Sequence, residues 1–143
     1  MAKKSKIYTQ KFETPVTISV EVLNEKLKIS GLCELVDFHK QQCCENVYAD
    51  WNYLIPFINQ INWPISIIGF EIIGVKYEGF LLKFVTDSIN EFDDLNNEVK
   101  FFVPCYNSQN GYYSSNLDLQ IITEDGQKIV KSINYYVKDK IYG

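Results

Sequence analysis

Arginine is absent from this chain: the 14 basic residues are all lysine. The usual bidentate clamp for phosphate and carboxylate, and the commonest reader of guanine edges, is therefore missing. Asp and Glu together number 18, leaving a net charge of −4. The basic footprint of a nucleic-acid-binding protein is lacking, and no direct DNA or RNA partner is expected. Histidine occurs once and cysteine four times. That is too little for a zinc site of paired ligand knuckles, and no cofactor signature stands elsewhere, so neither metal nor cofactor is expected.

Long apolar runs are also scarce. The longest, Trp63 to Val75, is interrupted by Glu71 and falls short of the ~20 residues a spanning helix needs, so no membrane association is expected. Lys3, Lys4 and Lys6 form a basic start without an apolar h-region behind it, which does not read as a signal peptide. The cysteines then read as reduced thiols in a cytoplasm. With four prolines, seven glycines, no repeat and no linker-like tract, the sequence predicts one domain over residues 1–143.

What the chain does contain is apolar and aromatic: 46% hydrophobic and 15% aromatic residues. Val16, Ile18, Val20 and Val22 alternate with polar residues, the pattern of a half-buried strand. Asn24-Glu25 can turn it into a second strand, Leu27 to Leu32, and Leu32 to Phe38 continues as a third. Ile65 to Ile73 and Lys76 to Thr86 are β-branched runs separated by Gly74. Val99 to Tyr106 is a further strand in which Pro104 argues for an edge or a bulge. Leu117 to Thr123 and Lys128 to Val137 flank Asp125-Gly126, a hairpin signal.

One helix is predicted at about 51–61. Asp50 stands as its N-cap, and Trp51, Leu54, Ile55, Ile58 and Ile61 form one apolar stripe. Pro56 requires that the helix start late, near Ile55, or kink. The expected class is α+β, mainly β: a compact antiparallel sheet or sandwich of roughly eight strands with one short helix.

Two short segments carry the sharpest local signals. Gln41-Gln42-Cys43-Cys44-Glu45 holds adjacent cysteines close to His39, and Asn107-Ser108-Gln109-Asn110-Gly111-Tyr112-Tyr113 holds an Asn-Gly turn before two tyrosines. Together they resemble a small family of bacteriophage proteins of uncharacterised function. In that family a Cys-Cys segment precedes a short helix and an Asn-Gly-Tyr-Tyr turn closes the domain. The resemblance spans residues 15–122 and implies an N-terminal arm over 1–14 and an added hairpin and tail over 123–143. It departs from the family pattern at Ser114 and Ser115, where glycines usually follow the tyrosines.

Each segment has a structural and a chemical reading. Cys43 and Cys44 read first as small buried apolar residues. A thiolate at Cys43 or Cys44 with His39 as base and Asp37 or Glu45 as orienting group is the enzymatic alternative. Zinc held by His39, Cys43 and Cys33 or Cys105 is the metal alternative. Gly111 and Asn110 supply the positive-φ pair of a type I′ turn. Tyr112 or Tyr113 then faces outward beside Asn107 and Gln109 as a polar-aromatic binding patch. The stretch Asp87 to Glu98 is acidic without a lysine; Asp93 and Asp94 are its candidate protein-docking residues, since the Ca²⁺-loop pattern is not met.

The function expected is that of a non-enzymatic, phage-encoded binding protein acting through protein–protein contacts. A host or defence factor is the expected partner, met in the host cytoplasm. A virion structural or assembly component, including a homo-oligomer formed through exposed β edges, is the second expectation. A small-molecule sponge or a Cys/His-dependent enzyme is the third.

Overall fold

The alternating apolar residues at 16–22 belong to a strand far longer than its apolar portion. In a computed structural model describing residues 3–39, 45–87, 97–109 and 117–141, β1 runs Lys4–Leu23. Residues 4–14 of the segment read as an N-terminal arm belong to it. Lys4 to Lys11 pair antiparallel with β5 (Ile65–Val75) from Val75 to Gly69, and Ile7, Tyr8 and Phe12 pack against the core. Positions 5 to 13 are mostly polar to the eye, yet one face of them is covered.

Among the described residues ten strands form one sheet, in the order β10-β7-β6-β5-β1-β2-β3-β8-β9, with β4 also on β7. The fold is mainly β with one short helix, as expected. The opening hairpin is as predicted: Asn24 (φ 50°) and Glu25 (φ 63°) form its two-residue turn, leading into β2 (Lys26–Ser30) and β3 (Cys33–His39). The Asp125-Gly126 turn likewise joins β8 (Leu117–Thr123) to β9 (Lys128–Ser132).

Two stretches differ from the sequence expectation. Gly74 lies inside β5, and the turn to β6 (Gly79–Thr86) is formed by Lys76-Tyr77-Glu78, closed by Glu78 N–H on Val75 O at 3.0 Å. Gly74 is small because Tyr136 covers it: a Cβ there would meet the ring Cε1 at 2.3 Å. The run Lys128 to Val137 is not one strand. It breaks after Ser132, buries Ile133, makes a 3₁₀ turn over Asn134–Tyr136, and continues as β10 (Lys138–Ile141). β10 pairs in parallel with β7 (Glu98–Gln109), the one parallel pair among the described strands.

Pro104 ends a stretch of β7 that has a strand on one side only among the described residues, so the edge expectation holds locally. It sits mid-way along β7, where the partner changes. Residues 98–104 pair with β6, and residues 105–109 are flanked by β4 (Glu45–Ala49) and β10. A one-sided stretch has positions whose N–H the ladder does not need, and proline fits there.

The helix expected at 51–61 is shorter. A 3₁₀ turn, Trp51–Leu54, passes into α1, Ile55–Ile58, with Pro56 in its first turn, where a missing N–H costs no hydrogen bond. Asp50 makes no side-chain cap; its carbonyl accepts from Tyr53 N–H at 3.3 Å. The tighter 3₁₀ winding breaks the predicted stripe. Trp51, Leu54 and Ile58 are buried, while Ile55 is turned outward.

The curled sheet brings both of its halves onto one core. Ile18, Leu27, Leu35 and Leu119 from one half meet Phe70, Phe80, Phe84 and Phe101 from the other in a single cluster. Phe70 and Phe84 stack at 5.1 Å, and Trp51 meets Phe80 edge-on at 5.8 Å. Residues 123–141 are built into the same sheet and core through β9, β10, Ile133 and Val137.

Candidate functional site

The sheet does not close between β3 and β4, and the reason is readable in the registers. β3 pairs with β8 along its whole length, but β2 covers only Cys33 to Leu35 on its other side. Residues 36–39 therefore have no strand on that side among the described residues. β4 pairs with β7 on one side only. Between these two edges lies a cleft of about 510 Å³, with Glu25 at the β1–β2 turn and Asp50 to Asn52 at its ends.

Asp37 spans the cleft at one end. Its carboxylate accepts the Ala49 N–H at 2.8 Å and the Trp51 Nε1–H at 2.9 Å. The side chain replaces the backbone carbonyl that a directly paired strand would have supplied, and it satisfies the indole of a buried tryptophan. His39, two residues on and therefore on the same face of β3, also lines the cleft. The other charged groups among the described lining residues are Glu25 and Asp50.

Beyond Asn52 the rim becomes apolar. Tyr53, Ile55 and Phe57 are 46%, 41% and 44% exposed, and the Tyr53 and Phe57 rings lie 5.5 Å apart. Trp51, Leu54 and Ile58, buried from the same short segment, anchor it. A second aromatic patch stands at the β5–β6 turn. Lys76 Nζ lies 4.9 Å and 4.7 Å from the ring centres of Tyr77 and Tyr135, and a hydrogen bond with Tyr135 is the first cause that holds the Lys76 pKa up. Tyr77 adopts φ 64°, a conformation unusual for a bulky side chain.

The residues singled out from the sequence fall mostly elsewhere. Cys43, Cys44, Asp93, Asp94, Asn110, Gly111, Tyr112 and Tyr113 lie outside the described residues. The strands flanking the Asn-Gly segment, β7 and β8, pair with other strands and not with each other. Gln109 ends β7, opposite Glu45 and Ile141. Asn107, expected on an outward patch, is instead fully buried. Its backbone lies between Val47 of β4 and Asp139 of β10, two strands that close over this half of β7.

Cys33 and His39 stand at opposite ends of β3, about 20 Å apart at ~3.3 Å per residue, so they cannot share one metal ion. Cys105 is buried on β7. No group of three or more His, Cys, Asp or Glu suited to a metal occurs among the described residues. Both thiols are held protonated. Burial, then Glu124 and Glu34, push Cys33 up to about 12, and burial, then Asp37, push Cys105 higher still.

The cleft itself was missed from the sequence. Asn46-Val47-Tyr48-Ala49 alternates polar and apolar over too few residues to signal a strand alone, and nothing local shows that β2 stops short of Val36. Comparison with known protein families, curated proteins and solved structures finds no match for this chain.

Proposed function

We propose that this is a non-enzymatic binding protein that works through contact with another protein. On the resemblance of its Cys-Cys and Asn-Gly-Tyr-Tyr segments, it is phage-encoded and directed at a host or defence factor. One observation carries the reading: Tyr53, Ile55 and Phe57 are held side by side on the surface by a segment whose other large side chains are buried. Rigid, exposed aromatics beside an acidic cleft have the make-up of an interface core with a polar flank.

The test is site-specific photocrosslinking in a bacterial lysate, with the photoreactive residue placed at Tyr53 or Phe57. The control position is Val130, equally exposed on β9. A discrete adduct from positions 53 and 57, lost in the unlabelled-partner competition, is expected. Equal yields at all three positions, or none at 53 and 57, would overturn the reading.

A further inference from the structure

The turn between β5 and β6 carries a tyrosine where the backbone favours something smaller. Tyr77 adopts φ 64°, in the left-handed region that glycine and asparagine enter at least cost. Asn24 occupies the same region in the opening hairpin, at φ 50°. Burial does not repay the cost at Tyr77, whose side chain is 59% exposed. A strained conformation kept without burial points to a use at the surface. The side chain is also well supported. Tyr77 N–H donates to Tyr135 O at 3.1 Å, and Lys76 N–H donates to Lys3 O at 2.9 Å. The Tyr77 and Tyr135 rings lie 5.9 Å apart, and Tyr136, which covers Gly74, meets Tyr135 edge-on at 5.4 Å.

Lys76 brings charge to this pair. Its ammonium lies against both rings and donates hydrogen bonds to the Tyr135 and Tyr77 hydroxyl oxygens. An ammonium carries three protons, and a tyrosine hydroxyl that accepts one hydrogen bond still has its own proton to give. One ammonium proton and two phenol protons are thus left for a ligand, three donors in one spot with a positive charge among them. We infer that Lys76, Tyr77 and Tyr135 form a binding site for an acidic pyranose, of the kind a uronic acid residue of a glycan presents. The sugar carboxylate takes the free protons in charge-assisted hydrogen bonds. The C–H face of the sugar ring packs on an exposed tyrosine, which offers rigid amphipathic contact area at low entropic cost. A phosphate fits less well, since a single lysine without arginine supplies no bidentate clamp. The site shares no residue with the Tyr53 and Phe57 surface, so either can fail alone.

The test titrates four probes into the ¹⁵N-labelled full chain, followed by amide shifts: methyl glucuronide, methyl glucoside, acetate and a blocked tripeptide with a central glutamate. Methyl glucuronide is expected to shift the Lys76, Tyr77 and Tyr135 amides and to bind at least ~10-fold more tightly than each of the other three. Tyr77→Asn keeps a residue suited to the turn and should weaken glucuronide binding at least ~5-fold with the circular dichroism unchanged. Lys76→Gln should bring the glucuronide down to the level of the glucoside. Absence of shifts at these amides would overturn the inference. So would acetate that matches the glucuronide, since the sugar ring would then contribute nothing, or a glucoside that matches it, since the charge would then be idle. Tighter binding of the glutamate peptide at the same amides would assign the surface to a protein ligand and overturn the sugar site. A Tyr77→Asn chain that binds glucuronide as the parent does would remove the strained tyrosine from the site and overturn it as well.

Discussion

A thiolate at Cys33 would sit beside Glu34 and Glu124 in apolar surroundings, and its pKa is pushed up to about 12 by desolvation first and by those carboxylates second. Cys105, fully buried, is raised by burial and then by Asp37. Alkylation requires both thiolate and access. Peptide mapping after iodoacetamide treatment at pH 8 should therefore find Cys33 and Cys105 unmodified in the native protein and modified in denaturant. Labelling of either under native conditions would show that its burial is not maintained in solution. Asp37 makes a sharper case, because its two acceptor oxygens serve two donors of different kinds. Asp37→Ala leaves a buried indole N–H and a strand N–H without an acceptor, at about 1–3 kcal/mol for each buried group left unmade. Asp37→Asn keeps one acceptor oxygen but sets an NH2 donor against the other N–H, so in a urea denaturation series it should still cost at least half as much.

Much of the element scale was legible because the signals were local. The turns at Asn24-Glu25 and Asp125-Gly126 and the late helix start at Ile55 each depend on residues within one turn of the event. What escaped depends on residues distant in sequence. Gly74 reads as a strand separator until Tyr136 is found lying over it; Ile133 reads as a strand residue until it is found inside the core. The edges of β3 and β4 become a cleft only because β2 is short and β4 sits on the far half of β7. Gly74→Ala tests the first of these. The added methyl collides with the Tyr136 ring, at roughly 1–3 kcal/mol for overpacking. In a Tyr136→Ala background most of that cost should vanish, since contacting residues couple; an unchanged cost would place the strain elsewhere. Pairing of β6 with β7 offers a pH test. Glu98 bridges Lys83 at 3.1 Å and Lys100 at 3.2 Å, and the hydrogen bond from Lys83, then that from Lys100, lower its pKa. A carboxylate with a depressed folded pKa stabilises above its unfolded value and loses that contribution as pH falls through the folded one. Glu98→Gln should thus lower the unfolding free energy measured in urea at pH 7 by a small amount, about 0.5 kcal/mol for a half-exposed pair. The difference should shrink steadily between pH 5 and pH 3.

At the scale of the molecule, the resemblance that sets residues 123–143 apart as an addition meets a sheet into which residues 123–141 are built. β9 covers β8, β10 pairs with β7, and Ile133 and Val137 are buried in the same cluster as Phe80 and Leu119. Burying an aliphatic side chain of this size contributes about 1.5–3 kcal/mol, so Ile133 and Val137 together supply about 3–6 kcal/mol. Total stability for a domain is ~5–15 kcal/mol. Tyr136 adds its cover over Gly74, and Leu117 N–H would lose the Asn134 Oδ1 it donates to at 2.5 Å. A chain ending at Ser132 keeps the β8–β9 hairpin but loses all of these contacts and the parallel strand on β7. Its thermal midpoint by circular dichroism should fall by more than 10 °C, given about 2–8 °C per kcal/mol for domains of this range. Ile133→Ala with Val137→Ala in the full-length chain should reproduce a large part of that fall, because the lost burial and not the missing chain is its cause. A truncated chain that melts with the full-length protein would mean that β1 to β9 hold the core without the C-terminal strand.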